Sequence, residues 1–168
     1  EVLVKQERNA WAVILKALAE ASTDGTDHVI ASTDANQFTV GDLSKLMTLV
    51  KRINASFAGG TTSDIDGKGL TDLFISPEIM QEVRGFAYNP VNTIGTKASG
   101  PVALPNNVRE EIFRNAGMSE IYGVVLHELN ELGVGKKYNN LFDVFYSGSA
   151  PAFDAGTDEI AIGLDLSR

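Results

Sequence analysis

The sequence predicts an α+β fold, a mixed sheet flanked by helices. Three observations lead there. Two long amphipathic stripes at helical spacing come first, reaching from Val4 to Phe57. Strand-like runs interleaved with short helix signals follow from Leu70 onward. Regular βαβα alternation, which would mark a doubly wound parallel sheet, is missing.

In the first element Val4, Trp11, Ile14, Leu15 and Leu18 fall on one stripe, with Lys5, Glu7, Arg8, Lys16 and Glu20 largely on the other side. The spacing predicts a helix over 2–21, ended by the turn cluster Ser22-Thr23-Asp24-Gly25, and a short strand over 28–32. Thr39 and Asp42 have capping-box spacing, with Asp in the place usually held by Glu or Gln. Behind them Leu43, Leu46, Met47, Val50, Ile53 and Phe57 make a continuous apolar face, closed by Gly59-Gly60.

Leu70 to Ile75 reads as a strand, and Ser76-Pro77-Glu78 then starts a helix in three steps. The hydroxyl caps a backbone N–H, proline presets φ, and the carboxylate sits near the positive helix end. Ile79, Met80 and Val83 supply its apolar side, and Gly85 offers a left-handed stop. Residues 86–105 carry loop signals, and Asn107 can cap a short helix ended by Gly117. Three strands are predicted after that, over 121–129, 141–146 and 159–166. In the last, Ile160, Ile162, Leu164 and Leu166 alternate with Ala161, Gly163 and Asp165. The chain opens inside a helix pattern and closes on a strand pattern without a following element, and so reads as a trimmed piece of a longer chain.

Composition narrows the function classes. The 168 residues are 43% hydrophobic and 21% charged, which is globular rather than disordered. With no cysteine, disulfides, thiolate metal sites and cysteine nucleophiles are excluded. Twenty-two acidic against 14 basic residues, a net charge of −8, argue against a basic nucleic-acid-binding face. No apolar run approaches the ~20 residues that cross a bilayer, so no membrane partner is expected.

The string His127-Glu128-Leu129-Asn130-Glu131 is similar to the His-Glu-x-x-His zinc motif, and a small metal-dependent hydrolase using His127, Glu128 and Glu131 is the alternative it raises. That motif needs a helix to bring positions i and i+4 to one face. Here the preceding run is β-branched, and on a strand His127 and Glu131 would lie roughly 13 Å apart, too far for one ion. Asp64-Ile65-Asp66-Gly67-Lys68-Gly69 fails as a calcium loop, because Lys68 and Ile75 fall at ligand positions five and twelve. Gly59-Gly60-Thr61-Thr62-Ser63 lacks the lysine of a phosphate loop, and no Gly-x-Ser-x-Gly elbow occurs. The expectation is a protein without catalytic residues, metal or cofactor.

One segment keeps a functional reading. Phe86, Tyr88, Asn89, Pro90 and Asn92 follow the Ser-Pro helix and mix aromatics with side-chain amides, a composition suited to an intersubunit contact. The other reading is that Phe86 and Tyr88 tuck under their own domain.

Taken in order, these elements resemble the major capsid protein of tailed bacteriophages, the Hong Kong 97-like fold. The helix from Lys5-Gln6-Glu7 through Trp11 to Ala21 is similar to that family's spine helix. Asp42-Leu43-Ser44-Lys45-Leu46 resembles the opening of its axial domain. Leu73-Phe74-Ile75-Ser76-Pro77-Glu78 resembles its strand ending in Ser-Pro and a helix. Ile121-Tyr122-Gly123-Val124 and Ile160-Ala161-Ile162-Gly163-Leu164-Asp165 resemble its later strands. The arm and extended loop expected before the spine helix, and the return segment after Arg168, have no counterpart here.

The resemblance implies a spine-helix and peripheral segment over 1–38 and an axial-domain segment over 39–168. It implies structural work in a phage or prophage head, with no enzymatic activity. The full-length protein would assemble with itself into pentamers and hexamers, meet scaffold and portal proteins, and enclose double-stranded DNA without sequence-specific binding. Its place would be the virion, and the host cytoplasm during assembly. A bacterial compartment shell protein of the same fold is the further alternative.

Overall fold

The computed structural model describes residues 1–23, 28–34, 37–57, 69–85, 120–148 and 151–166. Among them are helices α1 (Val2–Thr23), α2 (Val40–Phe57), α3 (Pro77–Gly85) and α4 (Lys137–Phe145). The strands are β1 (Asp72–Ile75), β2 (Glu120–Ile121), β3 (Val124–Glu128) and β4 (Ile162–Leu164). An α+β class is therefore what the chain adopts, with one mixed sheet in the order β2-β3-β1-β4. No helix among the described residues is long and apolar enough to cross a membrane. The chain divides into two compact units, 1–31 with 130–160 and 32–129 with 161–168.

The second unit holds the sheet. β1 pairs parallel with β3 and antiparallel with β4, while β2 and β3 form an antiparallel hairpin. Leu73 and Ile75 of β1 alternate inward with Val124 and Leu126 of β3. They form one apolar core with Val40 and Leu43 of α2 and with Ile79, Met80 and Val83 of α3. Burying an aliphatic side chain contributes about 1.5–3 kcal/mol, so this stripe-on-sheet packing outweighs any single polar contact in the unit. Both predicted starts are in place. Thr39 caps α2 through reciprocal bonds with Asp42, and the buried Ser76 hydroxyl accepts the Ile79 N–H at 3.2 Å.

Several predicted elements are corrected. Residues 28–32 form no strand; the nearest pairing is a lone bridge between Asp34 and Gln37. Gly85 stays in the helical region and is not the left-handed stop. The run 121–129 is not one strand, because Tyr122 and Gly123 turn the chain with φ of 54° and 78°. Positive φ at both central residues is the tight hairpin geometry that follows strand twist. The terminal strand shortens to Ile162–Leu164, and it pairs antiparallel with β1.

The first unit packs α1 on α4. Trp11, Leu15 and Ala19, one turn apart, are the buried face of α1, and the Trp11 ring lies 5.6 Å from that of Tyr138. The predicted strand 141–146 is instead the end of α4 and its C-cap. Tyr138, Phe142 and Tyr146 recur every four residues and are all buried, a helical period. Phe142 stacks on Tyr146 at 5.1 Å and meets Phe153 edge-on at 5.2 Å. The fully buried Asn139 is satisfied at both ends of its amide. Its Oδ1 accepts from Gly133 N–H at 3.0 Å and its Nδ2 donates to the Asp158 carbonyl at 2.9 Å. Tyr138 is pushed up to about 12, first by burial and then by the neighbouring Glu131 carboxylate. Segment 130–160 thus belongs to one compact unit with the first helix, an association over long sequence distance.

Candidate functional site

The predicted contact residues Phe86, Tyr88, Asn89, Pro90 and Asn92 lie outside the described residues, as do the Asp64–Gly69 turn up to Lys68 and the 107–117 helix. The structure places their approach only: α3 ends at Gly85, with Ile79, Met80 and Val83 buried. His127, Glu128 and Glu131 each have a different partner. His127 meets Asp72 at 2.6 Å, Glu128 meets Arg84 at 3.5 Å, and Glu131 meets Lys137 at 3.8 Å. Among the described residues no three metal-ligating side chains come together.

The chemistry that does come together is on the outer face of the sheet. Strand alternation turns Asp72 and Phe74 of β1 away from the Leu73 and Ile75 core, and register sets Asp72 beside Val125 and Phe74 beside His127. The His127 imidazole stacks on Phe74, with centroids 4.6 Å apart and planes 17° from parallel. Its Nε2 is 2.6 Å from Asp72 Oδ1. The Thr71 hydroxyl donates to Asp72 Oδ2 at 2.7 Å and accepts the Leu166 N–H at 2.8 Å. The polar line Leu166–Thr71–Asp72–His127 therefore crosses β1 and reaches β3 on one side and the end of β4 on the other.

The Asp72 carboxyl is held below the usual aspartate range, first by the Thr71 hydroxyl and then by the His127 bond, against a smaller cost of burial and repulsion from Asp165. A carboxylate fixed between a hydroxyl and an imidazole can hold a ring in place or balance its charge. It does not form a nucleophilic relay, because the hydroxyl lies on the far side of the carboxylate from the imidazole. Sequence reasoning missed this pair. Asp72 and His127 are 55 residues apart, and no spacing rule links them. The local signal was only that both sit in strand-like runs at outward positions.

Compared with known proteins, the chain matches no protein-family model, no curated protein and no solved structure.

Proposed function

We propose that this chain is a major capsid subunit of a tailed bacteriophage or prophage, part of a Hong Kong 97-like protein that assembles into capsomers enclosing double-stranded DNA. One observation carries the reading. β1 runs directly into a Ser76-capped, Pro77-initiated helix and lies between β3 and β4, the strand-to-helix unit on which the sequence resemblance chiefly rests. A long amphipathic helix before it and a capped helix opening the sheet unit support the same order of elements. A passive building block also suits the pairwise engagement, among the described residues, of Arg84 with Glu128, His127 with Asp72 and Lys137 with Glu131. Closed rings of such subunits come from repeated heterologous contacts, and an acidic chain of net charge −8 disfavours tight adhesion to DNA.

The test uses the complete open reading frame that contains these residues. Negative-stain imaging and sedimentation of the purified product should show pentameric and hexameric rings or closed shells. A monodisperse monomer in the presence of its scaffold would refute the reading. Within an assembling protein, Phe86→Ala with Tyr88→Ala should impair capsomer formation while circular dichroism stays that of a folded chain. Undiminished assembly would remove the 86–92 contact.

A further inference from the structure

The sheet unit carries opposite charge on its two sides. α2 turns Leu43, Leu46, Met47 and Val50 into the core beneath the sheet. On its far side, half a helical turn away, Lys45, Leu49 and Arg52 follow one another at i, i+4 and i+7. Lys45 and Arg52 are exposed, and Leu49 is half-buried between them. The helix also carries Lys51, and its one acid, Asp42, is buried. This is a basic ridge in a chain of net charge −8.

The outer face of the same sheet has the reverse pattern. Register sets Glu120 of β2, Val125 of β3 and Asp72 of β1 in one row. Glu120 is exposed and Val125 is 41% exposed, while Asp165 adds negative charge near Asp72. None of β1 to β4 contains a lysine or an arginine. The row places its carboxylates two strand spacings apart, about 9.5 Å. The rise from Lys45 to Arg52 along α2 is about 10.5 Å. A cation–apolar–cation ridge on one side thus matches an acid–apolar–acid row on the other.

We propose that the sheet unit binds a second copy of this chain head to tail, with the α2 ridge of one copy seated on the outer sheet row of the next. Leu49 meets Val125 at the centre and sheds the water between the flanking charges, which strengthens their attraction. Arg52 meets Glu120 of the second copy and carries most of the contact. Among the described residues neither has an ion pair within its own chain. Lys45 and Asp72 form the lesser pair, because Lys45 is already bonded to Thr33 and Asp72 to Thr71 and His127. The two patches lie on opposite sides of one unit, so the contact is heterologous, and each copy keeps one patch for a further neighbour. Charge matching of this kind sets register and encounter rate more than affinity, so the association is weak and salt-dependent.

The inference rests on the charge layout of this chain and not on the capsid reading. A chain that stays monomeric would overturn it and leave shell formation by the full reading frame to its own test.

Sedimentation velocity of the 168-residue chain over a concentration series tests the contact. At about 50 mM salt the weight-average sedimentation coefficient should rise with concentration, and about 500 mM salt should weaken the association by about tenfold or more. Arg52→Glu and Glu120→Arg, both at exposed positions, should each weaken it by about tenfold while circular dichroism stays that of the parent. Mixing the two variants should restore it, because each then offers the patch that the other needs. A monomer at every concentration in low salt, association indifferent to salt, or a mixture no better associated than its components would each overturn the proposal. If either variant does not fold, the salt and concentration series of the unmodified chain decides.

Discussion

Asp42 and Thr39 close the first turn of α2 on each other. Thr39 donates its backbone N–H and its hydroxyl to Asp42 Oδ2 at 2.9 and 2.7 Å, and Asp42 N–H returns to Thr39 Oγ1 at 3.2 Å. The other carboxylate oxygen takes two more donors, Thr33 N–H and Thr33 Oγ1, both at 2.7 Å. A capping box therefore also fastens the preceding loop to the helix it starts, with Lys45 bonded to the same Thr33 hydroxyl at 2.7 Å.

That carboxylate accepts four hydrogen bonds, two from Thr33 and two from Thr39. Burial raises its pKa, and the hydrogen bonds from Thr33 and Thr39 together more than reverse this, leaving it below the usual range. A lowered carboxyl contributes stability that is present above the unfolded aspartate range and is lost as pH falls through the folded value. Asp42→Ala should cost about 2–3 kcal/mol, the sum of a lost cap and buried donors left unmet. Asp42→Asn should cost about 1–2 kcal/mol, since an amide turns one acceptor arm into a donor. Acid unfolding followed by circular dichroism checks both, and the Asn variant should lose less stability below about pH 4 than the parent does.

Gly163 is the close-packed point of β4. A Cβ there would lie 2.7 Å from Leu70 Cδ1 and 2.9 Å from Leu46 Cδ2, so both leucine side chains must shift to admit it. Its strand partner on β1 is Leu73, itself fully buried, and movement of the strand would disturb the core on both sides. Gly163→Ala should destabilise by about 1–2 kcal/mol and Gly163→Val by about 3 kcal/mol, as overpacking does. Urea midpoints with unchanged slopes would register the loss. Equal midpoints for all three proteins would mean that Leu46 and Leu70 repack without cost.

The elements legible in the sequence are those whose signals are local. Thr39-to-Asp42 and Ser76-Pro77-Glu78 announce helix starts within four residues, and both caps form as read. α4 was misread because its start carries no such signal: Lys136 at the N-cap makes no side-chain cap bond. Without Tyr138 and Asn139 in the window, the aromatic and β-branched residues from Leu141 onward mimic a strand. The β2–β3 turn was hidden for a related reason. Tight hairpins advertise themselves with Asn-Gly or Asp-Gly, whereas here a tyrosine occupies the first left-handed position. The outer-face network was illegible in principle, because the parallel pairing of β1 with β3 sets Asp72 against His127 across 55 residues.

That tyrosine makes a further prediction. Tyr122 holds φ of 54° while its side chain is 46% exposed, so little packing compensates the left-handed backbone. For an L-residue this conformation costs roughly 1–2 kcal/mol, less for asparagine, whose short polar side chain can bond locally. Tyr122→Asn should therefore stabilise the hairpin by about 0.5–1 kcal/mol and raise the melting temperature by roughly 1–4 °C. Gly123→Ala should act in the opposite direction by about 1 kcal/mol, because φ of 78° suits glycine even though open space surrounds the missing Cβ. The pair separates backbone strain from side-chain packing. If Tyr122→Asn instead destabilises, the exposed ring is held by a contact worth more than the strain, and the turn is kept for what Tyr122 touches rather than for its backbone.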